Sequence, residues 1–224
     1  MKTSFQAVAA SLVGLVTFAT LLFLPAGTFN YWQAWVFIAV FSIATTAPSI
    51  YWAMRRPEVL QRRMNVGPTA ETRPAQKAAV IGLLVSFAAL LAVSAFDHRF
   101  SWSTVPAAVS LLGDLLVAIG LGVSMLVAEQ NSFAASNITV EAEQKVVSAG
   151  LYGLVRHPMY LGALIMMVGV PLALGSYWGL VVLGPTLIVF AARILDEEKM
   201  LNDELDGYPE YSHQVHARLV PYVW

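Results

Sequence analysis

The chain contains no cysteine. That absence excludes disulfides, thiolate metal ligands and a cysteine nucleophile. Charge is scarce as well: Asp, Glu, Lys and Arg make up 12% of the residues, against roughly 25% in an average soluble domain. The formal net charge of -1 leaves no strongly basic surface of the kind that binds nucleic acid. Several catalytic fingerprints are missing too. No G-x-G-x-x-G joins a strand to a helix, and GxxxxGK[ST], HExxH and G-x-S-x-G do not occur. Gly120-Leu121-Gly122 lies inside an apolar run and lacks the third glycine. A soluble-type dinucleotide fold is thereby excluded.

What fills the chain is apolar: 58% hydrophobic residues and a mean hydropathy of +0.66. This composition predicts an integral membrane protein. A helix needs about 20 mostly apolar residues to cross the bilayer core, and four stretches provide them: Phe5–Leu24, Tyr31–Met54, Lys77–Phe96 and Val105–Ala128. A fifth block, Tyr160–Ala192, is too long for one span and is interrupted by Pro171, Gly175, Ser176 and Pro185. It reads as a helical hairpin turning near Gly175-Ser176. The first run exceeds the h-region of a signal peptide, about 7–15 residues, and reads as a retained helix. The predicted fold is therefore all-α, one membrane domain over 1–224 with four spans and a C-terminal hairpin over 158–192. Pro57–Met64 reads as a short interfacial helix.

Basic residues orient this arrangement. Arg55, Arg56, Arg62, Arg63, Arg73 and Lys77 cluster around the second connection, whereas the first connection has no charged residue. By the positive-inside tendency the second connection faces the cytoplasm. Counting helices then puts both termini, the Glu129–Arg156 connection and the tail from Arg193 on that same side. Apart from this topological role, the arginines read as anchors on lipid headgroups. Asp114 falls within the fourth span, where an ionised carboxylate costs about 2.5–3.5 kcal/mol on insertion scales. It reads equally as a packing residue near the outer leaflet and as a functional one.

Two polar clusters bracket the hairpin: Arg156-His157-Pro158-Met159-Tyr160 and Arg193-Ile194-Leu195-Asp196-Glu197-Glu198. Because two short antiparallel helices separate them, both clusters return to one membrane face. Pro158 suits the first turn of a helix, where its missing amide hydrogen has no partner to lose. The amides of Met159 and Tyr160 then point out of the helix end and favour a carboxylate or phosphate, with His157 beside them. Plain capping at headgroup level accounts for His157-Pro158 as well. Arg193 and Glu197 share a helix face and are spaced to pair. Arg193 closes an apolar run where an anionic headgroup or the carboxylate of an amphiphile would lie. Glu197 or Glu198 suits a ribose diol, an amino group or a sulfonium. The tail from Asn202 carries Tyr208-Pro209-Glu210-Tyr211 and reads as a polar cover.

At these residues the chain resembles the isoprenylcysteine carboxyl methyltransferase family, integral membrane enzymes that use S-adenosylmethionine. The resemblance covers roughly 131–221 and rests on Gly150-Leu151-Tyr152, Arg156-His157-Pro158-Met159-Tyr160-Leu161-Gly162, the spacing of Arg193 to Glu197-Glu198, and Tyr208-Pro209-Glu210-Tyr211. It implies that Tyr152, His157, Pro158, Met159, Tyr160, Glu197 and Glu198 bind S-adenosylmethionine, and that Arg193 is the catalytic contact to the acceptor group. It further implies backbone contacts to the cofactor from Gln144, Lys145, Val146 and Val147, where the family usually has a histidine in place of Gln144 or Lys145. The tail departs from the family in reading Leu205-Asp206-Gly207 before Tyr208. No metal is implied.

The expected activity is transfer of a methyl group to a lipophilic acceptor, foremost a carboxylate as in isoprenylcysteine O-methylation, with a phospholipid amine or a thiol as alternatives. Expected partners are a lipophilic or prenylated acceptor and membrane lipids, with no nucleic acid. Two other readings share some of the residues. An NADPH-dependent sterol or enone reductase carries the same Arg-His-Pro-x-Tyr element, but it usually has an acid after the glycine where this chain has Ala163. A non-catalytic membrane protein would place polar residues deep in several spans, and only Asp114 lies so.

Overall fold

The computed structural model describes residues 2–64, 66–131 and 144–224, with side chains from Val13 onward. The middle of the polar Glu129–Ala149 connection lies outside the described residues, as do the side chains that begin the first span. The described residues form helices and connections, with no strand among them. In chain order they give α1 (Lys2–Ala26), α2 (Trp32–Arg55), α3 (Pro57–Met64), α4 (Pro74–Phe100), α5 (Ala107–Gln130), α6 (Pro158–Ala173), α7 (Leu183–Glu204) and α8 (Tyr208–Gln214). A 3-10 turn at Gly150–Gly153 leads into α6 and another at Trp178–Val182 leads into α7.

Proline marks several helix starts. Pro57, Pro74 and Pro158 each open a helix, where the ring fits and the lost donor costs nothing. Arg56, preceding Pro57, is held out of the helical region and ends α2. The short α3 occupies the predicted Pro57–Met64. Among the described residues four helices are long and apolar enough to cross a membrane: α2, α4 and α5, which are expected spans, and the continuous run Trp178–Glu204 that contains α7, expected as a short hairpin arm. The protein is an all-helical integral membrane bundle, as the sequence predicts. The second arm of the hairpin, α7, runs beyond Arg193 to Glu204, so Arg193 lies inside a helix and does not close it.

The hairpin turns where expected. Gly175 adopts φ +70, in the left-handed region that glycine enters without steric cost, and Ser176 N–H donates to Pro171 O at 2.8 Å to close the turn. Ser176 Oγ donates to buried Asp97, which also accepts from Ser103 N and Ser103 Oγ, each at 2.7 Å. Tyr31 donates to Leu174 O at 2.6 Å and stacks on His98 with ring centroids 3.8 Å apart. These contacts fasten the hairpin tip to α2 and α4 at one end of the bundle.

Packing of α6 on α5 depends on glycine. Gly113 and Gly120 on α5 face Gly169 and Gly162 on α6, and the pairing order shows the helices to be antiparallel. A Cβ on Gly120 would lie 2.4 Å from Gly162 O, and one on Gly169 would lie 2.7 Å from Gly113 O. Such close backbone approach gains dispersion contacts where lipid supplies no hydrophobic drive. Around this seam Leu22, Phe37, Leu90, Val117, Val170 and Phe190 fill the core. Asp114, next to the seam, is buried, and neither of its carboxylate oxygens has a hydrogen-bond partner among the described residues.

Gly120→Ala is expected to destabilise the detergent-solubilised protein by about 1–3 kcal/mol, because backbone has to move to admit the methyl group. Gly122→Ala meets nothing within 4 Å and is expected to leave the thermal unfolding midpoint unchanged. Equal midpoints for the two variants would contradict the seam.

Candidate functional site

At the end of the bundle opposite the hairpin tip, α7 presents Arg193, Asp196, Glu197 and Glu198 to other parts of the chain. Arg193 is buried. Its Nη2 donates to Glu71 Oε1 at 2.8 Å and its Nε donates to the Tyr160 hydroxyl at 2.9 Å. Tyr160 in turn donates to Glu197 Oε2 at 2.7 Å. Arg193 and Glu197 are therefore joined through Tyr160, and the carboxylate at the guanidinium is Glu71. Asp196 accepts from Arg73 Nη2 at 2.6 Å and from Gln76 Nε2, which ties the start of α4 to α7.

Glu198 is compensated most heavily. Arg156 Nε lies 2.8 Å from its Oε1, Arg218 Nε donates to its Oε2 at 2.8 Å, and His157 Nε2 is 3.2 Å from its Oε1. Glu197 is more open: it accepts from Tyr160 and stands 3.8 Å from His157 Nδ1. Of the two glutamates, Glu197 retains acceptor capacity facing the site, while Glu198 binds the structure together.

His157 occupies the N-cap of α6 with no side chain capping the helix. The first-turn amides of Met159 and Tyr160 therefore carry the positive end of the helix dipole without a side-chain acceptor. His157 N–H donates to Arg218 O, and Arg156 N–H to Ala217 O, each at 2.9 Å, so the C-terminal tail is stitched alongside the Arg-His-Pro element. Tyr211 donates to Tyr152 O at 2.7 Å, and Asn131 Nδ2 to the Tyr152 hydroxyl at 3.2 Å. Leu205, Tyr208 and Tyr211 form a small cluster with Val146 and Tyr152. Burial pushes the Tyr208 phenol up, and the charge of Glu198 adds to the effect. Tyr208 therefore stays a neutral donor across physiological pH, and its buried hydroxyl has no hydrogen-bond partner among the described residues.

The structure brings Tyr152, His157, Pro158, Met159, Tyr160, Arg193, Glu197 and Glu198 to one end of the bundle. Of the 144–147 stretch, Val146 packs against the tail, Gln144 and Val147 are half-buried, and Lys145 is exposed. Sequence reasoning missed Glu71, Arg73, Gln76 and Arg218. It also took Arg63 for a headgroup anchor. Arg63 Nη1 lies 3.8 Å from Met159 Sδ and its guanidinium carbon 5.7 Å from the Trp52 ring centroid.

Residues 108–205 match the family model described as phospholipid methyltransferase, which belongs to the superfamily of isoprenylcysteine carboxyl methyltransferase-like membrane methyltransferases. The match covers α5, α6 and α7, including both polar clusters, and indicates a membrane methyltransferase. No curated protein sequence matches the chain.

Glu198→Gln is expected to lower stability by about 3 kcal/mol, since it strips the anion from the largely buried Arg156 and from the partly exposed Arg218. Glu197→Gln keeps an acceptor for Tyr160 and is expected to unfold close to wild type. Thermal unfolding in one detergent compares the two, and the reverse order would remove Glu198 from its structural role.

Proposed function

We propose, from the family match and the geometry around α7, that this chain transfers a methyl group from S-adenosylmethionine to a lipophilic carboxylate that enters from the lipid. The observation that carries this reading is Arg193, a buried cation that already holds a carboxylate, Glu71, at one edge. Through Tyr160 the same guanidinium is connected to Glu197.

The residues present suit the cofactor. An uncapped helix start, the unpartnered hydroxyl of Tyr208 and the open carboxylate of Glu197 offer donors and an acceptor of the kinds a methionyl carboxylate and a ribose need. His157 and the amides of Met159 and Tyr160 would hold the methionyl carboxylate, and Glu197 the ribose or the field of the sulfonium. Gln144, Lys145, Val146, Val147, Tyr152 and Pro158 would border the cofactor, with Glu198 fixing His157. When bound, S-adenosylmethionine supplies a methyl group activated on a positively charged sulfur.

The protein's own part is positional. A carboxylate acceptor is ionised at neutral pH and needs no general base, so Arg193 has only to orient it. Tyr160, held by Arg193 on one side and by Glu197 on the other, sets the distance between the two halves of the site. Holding reactants in near-attack geometry supplies most of the acceleration for such an in-line displacement. The basic α2–α4 connection favours a cytoplasmic position for this end of the bundle and for both termini, so the cofactor would enter from the cytoplasm.

A phospholipid amine is the second reading, and the family match is equally consistent with it. It requires removal of a proton from the acceptor, and Glu197, the site carboxylate that no arginine meets, is taken up in this reading by the cofactor.

The readings separate by product chemistry. With S-adenosylmethionine labelled on the methyl group and membrane extract as acceptor, the carboxylate reading predicts a lipid-soluble product that releases volatile labelled methanol in base. Label retained in a base-stable headgroup would instead assign the amine. Arg193→Gln is expected to reduce kcat/KM roughly 100-fold through loss of acceptor orientation, and activity near wild type would remove Arg193 from the site.

A further inference from the structure

The tail motif Tyr208-Pro209-Glu210-Tyr211 carries two buried phenols that are used differently. Tyr211 donates to Tyr152 O at 2.7 Å, and Arg156 Nη1 donates to Ser212 O at 3.1 Å, so α8 is held against the lead-in to α6. Tyr208 is 4% exposed, yet its hydroxyl has no hydrogen-bond partner among the described residues. A buried polar group without a partner costs free energy that a phenylalanine of the same shape would avoid. Packing therefore explains the ring of Tyr208 and leaves its oxygen unexplained.

The surroundings limit what satisfies that oxygen. The cluster of Leu205, Tyr208 and Tyr211 packs against Leu201, which stands one helical turn beyond Glu197 on the same face of α7. Val146 and Tyr152 border the same cluster. Burial holds the phenol protonated, and its charged neighbours are Glu198, Arg156 and Glu197. Arg156 and Glu198 compensate each other at 2.8 Å, so the remaining charge near the phenol is the carboxylate of Glu197. An anionic ligand group is disfavoured there, and a neutral oxygen is favoured. Tyr208 donates and Glu197 accepts, and hydroxyl groups, which both accept and donate, match the two together.

We infer that Tyr208 is a further cofactor-binding residue, donating a hydrogen bond to the ribose diol of S-adenosylmethionine while Glu197 accepts from that diol. This rests on the S-adenosylmethionine reading of the site. The tail thereby supplies a donor to the site besides covering it, and the ribose satisfies the phenol that the protein's own residues leave without a partner.

Tyr208→Phe removes one oxygen and keeps the ring. The test titrates S-adenosylhomocysteine, and its analogue lacking both ribose hydroxyls, calorimetrically into the detergent-purified full chain, alongside thermal unfolding without ligand. S-adenosylhomocysteine should bind the variant about fivefold more weakly, the analogue should bind both proteins alike, and the unfolding midpoint should not fall. Equal weakening of the two ligands, or unchanged affinity for S-adenosylhomocysteine, overturns the inference, and a lowered midpoint with unchanged affinity assigns Tyr208 to packing. Wild type must itself prefer S-adenosylhomocysteine to the analogue, and equal affinities there overturn the diol contact whatever the variant does. Absence of any S-adenosylhomocysteine binding to wild type contradicts the cofactor reading itself, a result distinct from loss of the Tyr208 contact alone.

Discussion

Burying ionised groups at the end of an apolar bundle is tolerable only where each has its counter-charge in place, and this requirement organises the site. Along two turns of α7, Arg193 meets Glu71, Asp196 meets Arg73, and Glu198 meets Arg156 and Arg218. Those partners come from the connection between α3 and α4, the lead-in to α6 and the C-terminal tail. Satisfying one helix's charges therefore gathers three otherwise separate segments around it. Glu197 is the exception that makes the end useful: its partners are a neutral hydroxyl and the ring of His157, so it keeps capacity for a ligand.

Two devices hold that end in register. The glycine seam brings α6 so close to α5 that its first turn, with His157, Met159 and Tyr160, has little freedom to slide. The hairpin tip, fastened by Ser176 to Asp97 and by Tyr31 to Leu174, fixes where α7 starts and hence which of its faces meets Tyr160. Packing between helices and polar anchoring at the far end thus fix how the first turn of α6 stands against α7.

Much of this was legible from local patterns. Continuous apolar runs, prolines at helix starts and the Gly175-Ser176 break identify α2, α4, α5, the hairpin and the short α3, because in lipid every backbone group must be satisfied within its own helix. The two polar clusters announced a shared face for the same reason. What local patterns did not carry were partnerships between distant segments. The i,i+4 spacing suggested that Arg193 would meet Glu197, but Tyr160 stands between them and Glu71 takes the guanidinium. Arg63 resembled an ordinary headgroup anchor, since nothing in its neighbourhood along the chain reveals the folded surfaces it contacts. Glu198 looked equivalent to Glu197 in sequence, and only the positions of Arg156 and Arg218 distinguish their roles.

The central claim is that the first turn of α6, Tyr160 and Glu197 form a cofactor site. Calorimetric titration of S-adenosylhomocysteine into the detergent-purified protein, with NADPH in parallel and Tyr160→Phe as the altered form, tests it directly. The account predicts saturable binding of S-adenosylhomocysteine, weakened in Tyr160→Phe, and no binding of NADPH. Binding of NADPH, or of neither compound, would contradict it.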